Sequence, residues 1–243
     1  MKTNRTYVVR RKKEHHYVKP ASIFILVILL VIGLYVGVRV VAIKNSEEFD
    51  LKKLSVYFLR TPESSETAIN NDNLQKVDLA GKIIIVDGEK RVVNVINIPK
   101  HLYIFSKGID VSNSNARDFA LFMVQLLGFK PDYVYSVILK KDYLNKINVG
   151  GLEELVSHYG KQGLSLIDYL TIKSHVSILR PDSVITESAL AKLYYSLGRF
   201  NIRTYEVPTI TSKPIKIIVG DKIYIRTYAD EEKFVNLISE IKR

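Results

Sequence analysis

From Ala21 to Val38 the chain runs 18 residues without a charge (ASIFILVILLVIGLYVGV), and Val40–Ile43 carry the run past Arg39. The segment is apolar on every face, unlike an amphipathic surface helix. About 20 helical residues rising about 1.5 Å each cross a hydrocarbon core of about 30 Å, so a transmembrane helix is predicted over 21–43. Arg39, near the far end, reaches the interface by snorkelling. A secretory signal would have a shorter apolar core and a small-residue cleavage site, and Val40-Val41-Ala42-Ile43 leading into Lys44 offers none.

Beyond it the apolar period changes repeatedly. Lys53–Leu59 (KLSVYFL) alternates and then runs apolar, as a first strand does. Thr61–Asn73 is rich in Pro, Ser, Asn and acids and reads as an exposed loop. Lys82–Val86 (KIIIV) has the compact β-branched character of a buried strand. Asp87-Gly88 is a hairpin signal, and Arg91–Ile98 is the returning strand, stopped by Pro99. Ala116, Phe119, Ala120, Met123, Val124 and Leu127 recur at helical spacing within Ser114–Leu127, with Ser112 or Asn113 to cap its start and Gly128 its end. Tyr133–Leu139 reads as a strand, and Leu152–His158, Leu164–Ile172 and Ile185–Leu197 as helices. Ile202–Val207, Ile215–Val219 and Lys222–Arg226 are strands, the last two joined by Gly220-Asp221, and Glu231–Ile241 is a closing helix. Strands and helices interleave without a repeat, which predicts one α/β domain over 53–243. Residues 44–52 read as a polar juxtamembrane linker.

Charge settles how the ends are arranged. The chain has 243 residues and a formal net charge of +11. Seven cations against Glu14 give residues 1–20 a net +6, whereas residues 44–243 hold 28 positive and 24 negative charges. The basic character is a tail, and the nearly balanced remainder argues against a nucleic-acid partner. A basic flank stays cytoplasmic. The expectation is therefore a single-pass protein of the cytoplasmic membrane, with residues 1–20 inside and the α/β domain outside. The absence of cysteine excludes disulfides, iron–sulfur clusters, thiolate zinc sites and a cysteine nucleophile. His158 and His175 lack a metal-type partner at helical spacing, and His15 and His16 are adjacent, so they point to different helix faces.

The order of these segments resembles the LytR–CpsA–Psr (LCP) family of bacterial envelope proteins. KIIIVDGEKRVVNVINIPKHLYI is similar to that family's hairpin and the motif closing it. ALFMVQLLGFKPDYVYSVILKKDYLNKINVGGLEELV resembles its Leu-Leu-Gly, Asp-Tyr-Tyr and Gly-Gly run, and RTYEVPT with KIYIRTYADEEKFVNLI resembles its C-terminal end. The resemblance implies an N-terminal anchor, a single mixed-sheet α/β domain flanked by helices, and transfer of glycopolymers from a polyprenyl-pyrophosphate carrier to the cell wall. That reaction needs cations on the pyrophosphate and carboxylates on Mg²⁺. Where the family has Pro-Arg-Asp, this chain has Pro99, Lys100 and His101. Lys100 is a point charge without arginine's fork, and His101 does not replace a carboxylate on Mg²⁺.

By resemblance, Lys82, Lys100, Lys173 and Arg180 are candidates for a pyrophosphate site, and Phe119, Phe122 and Met123 for a lipid-chain cavity; no catalytic residue is assigned. No cofactor is expected, with Mg²⁺ binding only if Asp87, Asp110 or Asp182 restores a carboxylate site. The expected function is envelope glycopolymer assembly, through a polyprenyl-phosphate carrier or its glycan, with transferase activity reduced or lost. The alternative is a non-catalytic bitopic scaffold working through other envelope proteins. A core filled by large side chains favours the scaffold, because a lipid chain needs an open apolar slot.

Overall fold

The computed structural model describes residues 18–61, 79–110, 128 and 130–242. Val18–Lys44 form one helix, α1, whose segment from Ser22 to Lys44 is long and apolar enough to cross a membrane. Strands β1 (Ser55–Arg60), β2 (Leu79–Asp87) and β3 (Val92–Pro99) follow, then β4 (Leu102–Ile104), a 3₁₀ turn at Phe105–Lys107 and β5 (Ile109–Asp110). The predicted helix over 114–127, with Phe119, Phe122 and Met123, lies outside the described residues, as does most of the predicted 61–73 loop. The chain continues with β6 (Tyr133–Ile138), α2 (Lys141–Lys146), α3 (Leu152–Gln162), α4 (Leu166–Leu179) and α5 (Glu187–Arg199). It closes with β7 (Asn201–Glu206), β8 (Ile215–Val219), β9 (Lys222–Tyr228) and α6 (Glu231–Lys242).

The fold is mixed α/β. A five-stranded sheet has the order β6-β1-β2-β3-β7, and a four-stranded sheet the order β5-β4-β9-β8. In the larger sheet β2 runs antiparallel to both neighbours, while β1 pairs parallel with β6 and β3 with β7. The carboxyl ends of β1, β3, β6 and β7 therefore share one edge. The continuous apolar runs of β1, β2 and β3 have a simple cause: both faces of the sheet are covered. On one face Tyr57, Ile84, Val95 and Tyr135 pack against α3, α4 and α5. On the other, Phe58, Ile83, Ile85 and Ile96 pack against β4 and against Phe234, Ile238 and Ile241 of α6.

The Asp87-Gly88 hairpin forms as its sequence predicts, with Asp87 Oδ1 accepting from Lys90 N at 3.0 Å. Gly88 is required for a further reason: a Cβ there would lie 1.9 Å from the Leu51 carbonyl oxygen.

Helix α4 differs most from expectation. It continues seven residues past Ile172, through the stretch KSHVSIL. Its start is set by a capping box between Ser165 and Asp168. Its β-branched residues are carried by tertiary burial, since Tyr169, Ile172, Val176 and Leu179 form one inward stripe that outweighs local propensity. His175 completes that stripe, edge-on to Tyr143 at 5.7 Å. Burial first and Lys146 second push its pKa below 6.5, against Asp168. The unfolded chain then takes up the proton before the folded one as pH falls through about 6.5. Wild type is expected to lose stability there relative to His175→Leu, measured as the difference in denaturation midpoints between pH 7 and 5. A flat difference would contradict a buried neutral imidazole.

Candidate functional site

Lys82 is the buried cation of the sheet, 5 % exposed. It lies on the same face of β2 as Ile84, two residues nearer the shared carboxyl edge, opposite Asn97 of β3. Its ammonium donates to the Asn97 side-chain oxygen. Burial pushes its pKa down, opposed by the nearby carboxylates of Glu153 on α3 and Glu206 at the end of β7. A recess of about 390 Å³ opens between α3 and the β3–β7 margin. Lys82 forms part of its wall; Val95, Val156 and Ile202 give it apolar sides; Glu153, Ser157, Lys161 and Thr204 give it polar groups.

Gly160 on α3 keeps the recess narrow, because a Cβ there would stand 3.2 Å from the Ile202 side chain. The end of α3 is held by a second glycine contact. A Cβ on Gly198 of α5 would fall 2.3 Å from the Cα of Gly163, which follows α3 with a positive φ of 64°. Deeper along this face the space is filled: Tyr159 of α3 stacks on Tyr194 of α5 with ring centroids 3.5 Å apart, and Tyr57 and Tyr143 are fully buried.

The remaining sequence candidates occupy other places. Lys100 follows β3 in the turn to β4, where its carbonyl accepts from Thr227 Oγ1 at 3.2 Å. Its neighbour His101 holds a positive φ of 59°. Lys173 lies on an exposed position of α4, and Arg180 is exposed just past that helix. None of these three lines the Lys82 recess. Asp87 belongs to the hairpin turn, and Asp182 pairs with Lys140 at 2.6 Å. Among the described residues no cluster of three or more His, Cys, Asp or Glu has metal-binding geometry.

Sequence reasoning missed the groups surrounding Lys82. Asn97 faces Lys82 because the hairpin closes through four residues, 88–91, between the paired Asp87 and Val92, a register that an Asp-Gly turn alone does not give. Glu153, Ser157 and Lys161 carry a faint signal, their spacing of four residues along one helix face.

A second polar center fastens the chain that follows α1. Lys192 is fully buried and donates to the Asp50 and Lys53 carbonyls at 2.6 and 2.7 Å and to Ser55 Oγ at 2.8 Å. Phe49, 5 % exposed, packs on Tyr195 at 5.7 Å, and Glu48 accepts from Tyr135 Oη at 3.2 Å and from the Thr186 hydroxyl. Residues 45–54 are thus a packed connector.

These features define a single apolar N-terminal helix carrying a mixed α/β domain with a buried lysine at the strand-end edge. No family model matches the chain, and no curated protein does. Solved structures are similar to it at low identity. Bacillus subtilis TagT matches at 10 % identity over 79 % of this chain and 91 % of its own, with a TM-score of 0.43. TagT bound to LIIa-WTA matches at 12 % identity over 82 % and 93 %, with a TM-score of 0.42. An Enterococcus faecalis protein described as a transcriptional regulator matches at 8 % identity over 80 % and 88 %, with a TM-score of 0.45.

Proposed function

We propose that this chain is a membrane-anchored, extracytoplasmic protein of bacterial envelope glycopolymer assembly, of LCP type. It binds the glycan-bearing end of a polyprenyl-phosphate carrier with transferase activity reduced or lost. The observation that carries the reading is the Lys82 recess. The buried Lys82 ammonium, the Lys161 ammonium, the Glu153 carboxylate and the Ser157 and Thr204 hydroxyls around apolar walls supply both donors and acceptors, which suits sugar hydroxyls next to an anionic group. A recess of about 390 Å³ takes a group of sugar size. The hairpin and Gly-Gly segments support the family reading. Lys100 and His101, standing where the family places its Arg-Asp pair, support loss of phosphotransfer.

The test is calorimetric titration of the full chain in nanodiscs with a short polyprenyl-phosphate-linked sugar. Lys82→Met is expected to weaken binding about tenfold, the worth of one charge-assisted hydrogen bond. Unchanged affinity in a variant that still melts cooperatively would remove the recess from the account. A scaffold is the second reading, favoured by the tyrosine-filled face beneath α3 and α5 and by exposed Leu166, Ile167 and Leu170 at the start of α4.

A further inference from the structure

The docking of α1 fixes which end of the domain meets the bilayer. Val40 and Ile43 pack into the helix-side core, and Arg39 Nη2 donates to Glu187 Oε2 at 2.8 Å. Five residues on, the Lys44 ammonium stands 5.9 Å from the center of the Tyr195 ring. Glu187 begins α5, and Tyr195 lies more than two turns further along it. Traced backward from Arg39, α1 therefore leaves the domain past the amino end of α5. Ser22–Val38 span about 25 Å at about 1.5 Å per residue. Arg39 and its partner Glu187 then stand at the level of the headgroups.

The α4–α5 turn, Arg180 to Thr186, lies at that same level. The carboxyl end of β6 meets it, Ile138 N donating to Ser183 Oγ at 2.9 Å and Val184 N to Ser136 O at 2.8 Å, and β1 ends alongside β6, with Leu139 N donating to Arg60 O at 2.7 Å. Val184, on this turn, is an apolar side chain 56 % exposed. Around it Arg180 and Lys141 are exposed cations, with Asp142 the exposed acid beside Lys141, while Lys140 and Asp182 neutralise each other. An apolar tip flanked by two exposed cations and one exposed acid, level with the end of a membrane-length helix, matches the chemistry of a phospholipid headgroup layer.

We infer that the α4–α5 turn is a bilayer-contact surface for anionic phospholipid, seating the domain with its strand-end edge toward the lipid. Lys82 and the mouth of its recess then open near the membrane plane. The opposite pole, at Ser165 and Leu166, points away. The inference rests on α1 spanning the membrane, and its test separates the two.

The chain has no cysteine, so Leu29→Cys, Val184→Cys and Leu166→Cys each give one site for a nitroxide. All three positions are exposed, so the labels leave the core intact. The labelled full chain is placed in nanodiscs of phosphatidylcholine and phosphatidylglycerol, and oxygen and nickel-chelate accessibilities are read by spin resonance. The expected result is a lipid-buried label at Leu29, a label at Val184 at least threefold less accessible to nickel than at Leu166, and an aqueous label at Leu166. Equal nickel accessibility at Val184 and Leu166, with Leu29 in lipid, would overturn the seating and leave the anchor standing. Nickel access at Leu29 would overturn both.

Discussion

Replacing Lys192 with methionine is expected to lower the unfolding free energy by about 3 kcal/mol, because three acceptors lose a buried ionic donor and nothing replaces it. The Asp50 and Lys53 carbonyls of the irregular connector and Ser55 Oγ at the start of β1 converge on one ammonium. Methionine fills the volume but donates nothing. Chemical denaturation in detergent micelles measures the loss; a change below about 0.5 kcal/mol, the range of surface substitutions, would mean water had taken the ammonium's place. The same variant carries a pH signature. Burial pushes the Lys192 pKa down to about 8, opposed by Asp50 and Asp132. The unfolded lysine keeps its proton to about 10.4. Between these values the unfolded state holds the extra proton, so wild-type stability rises with pH relative to Lys192→Met, and below about 8 the difference is flat. Taking the difference removes the tyrosines, whose titration above pH 10 is common to both proteins.

Gly198→Ala is expected to be comparably damaging, at about 3 kcal/mol, and to reach the recess as well. The new methyl carbon would sit 2.3 Å from Gly163 Cα and 3.2 Å from the Tyr159 carbonyl oxygen. Both are backbone, so no rotamer relieves the clash and the end of α3 must move off α5. Ser157, Gly160 and Lys161 move with it, and they form one side of the recess over Lys82. Stability and ligand affinity should therefore fall together, whereas Lys82→Met lowers affinity with little loss of stability. A Gly198→Ala protein with wild-type melting would contradict the close approach of α3 and α5.

The hairpin was legible because three signals agree there: an Asp-Gly turn, β-branched runs on either side, and Pro99 as a stop. Helix α5 was legible from its amphipathic period and from Thr186, which caps it through Ala189 N at 3.2 Å. The connector after α1 was not. Its polar composition reads as a tether, and what packs it is Lys192, which a helical pattern places among ordinary solvated lysines. Only tertiary structure shows that its ammonium points inward. The length of α4 was obscured for a related reason, since a β-branched stretch with a histidine favours a helix end locally while its inward stripe is decided by packing. At the site, Lys82 could be singled out by resemblance, but not its partner Asn97, because the four-residue loop after Asp87 shifts the register from the one an Asp-Gly turn suggests. Glu153 and Glu206 could not, since they join Lys82 only when α3 and β7 are brought to β2 and β3. Lys173 and Arg180, grouped with Lys82 by sequence, belong to α4 and the turn beyond it.

The central claim is that the Lys82 recess receives the glycan end of a lipid carrier, and one titration addresses it most directly. The full chain in nanodiscs is titrated with a short polyprenyl-phosphate-linked sugar and, separately, with the same polyprenyl phosphate lacking the sugar. Saturable binding at least tenfold tighter for the sugar-bearing lipid is the result the recess predicts. Binding of neither lipid, or equal binding of both with no response to Lys82→Met, would contradict it and leave the scaffold reading.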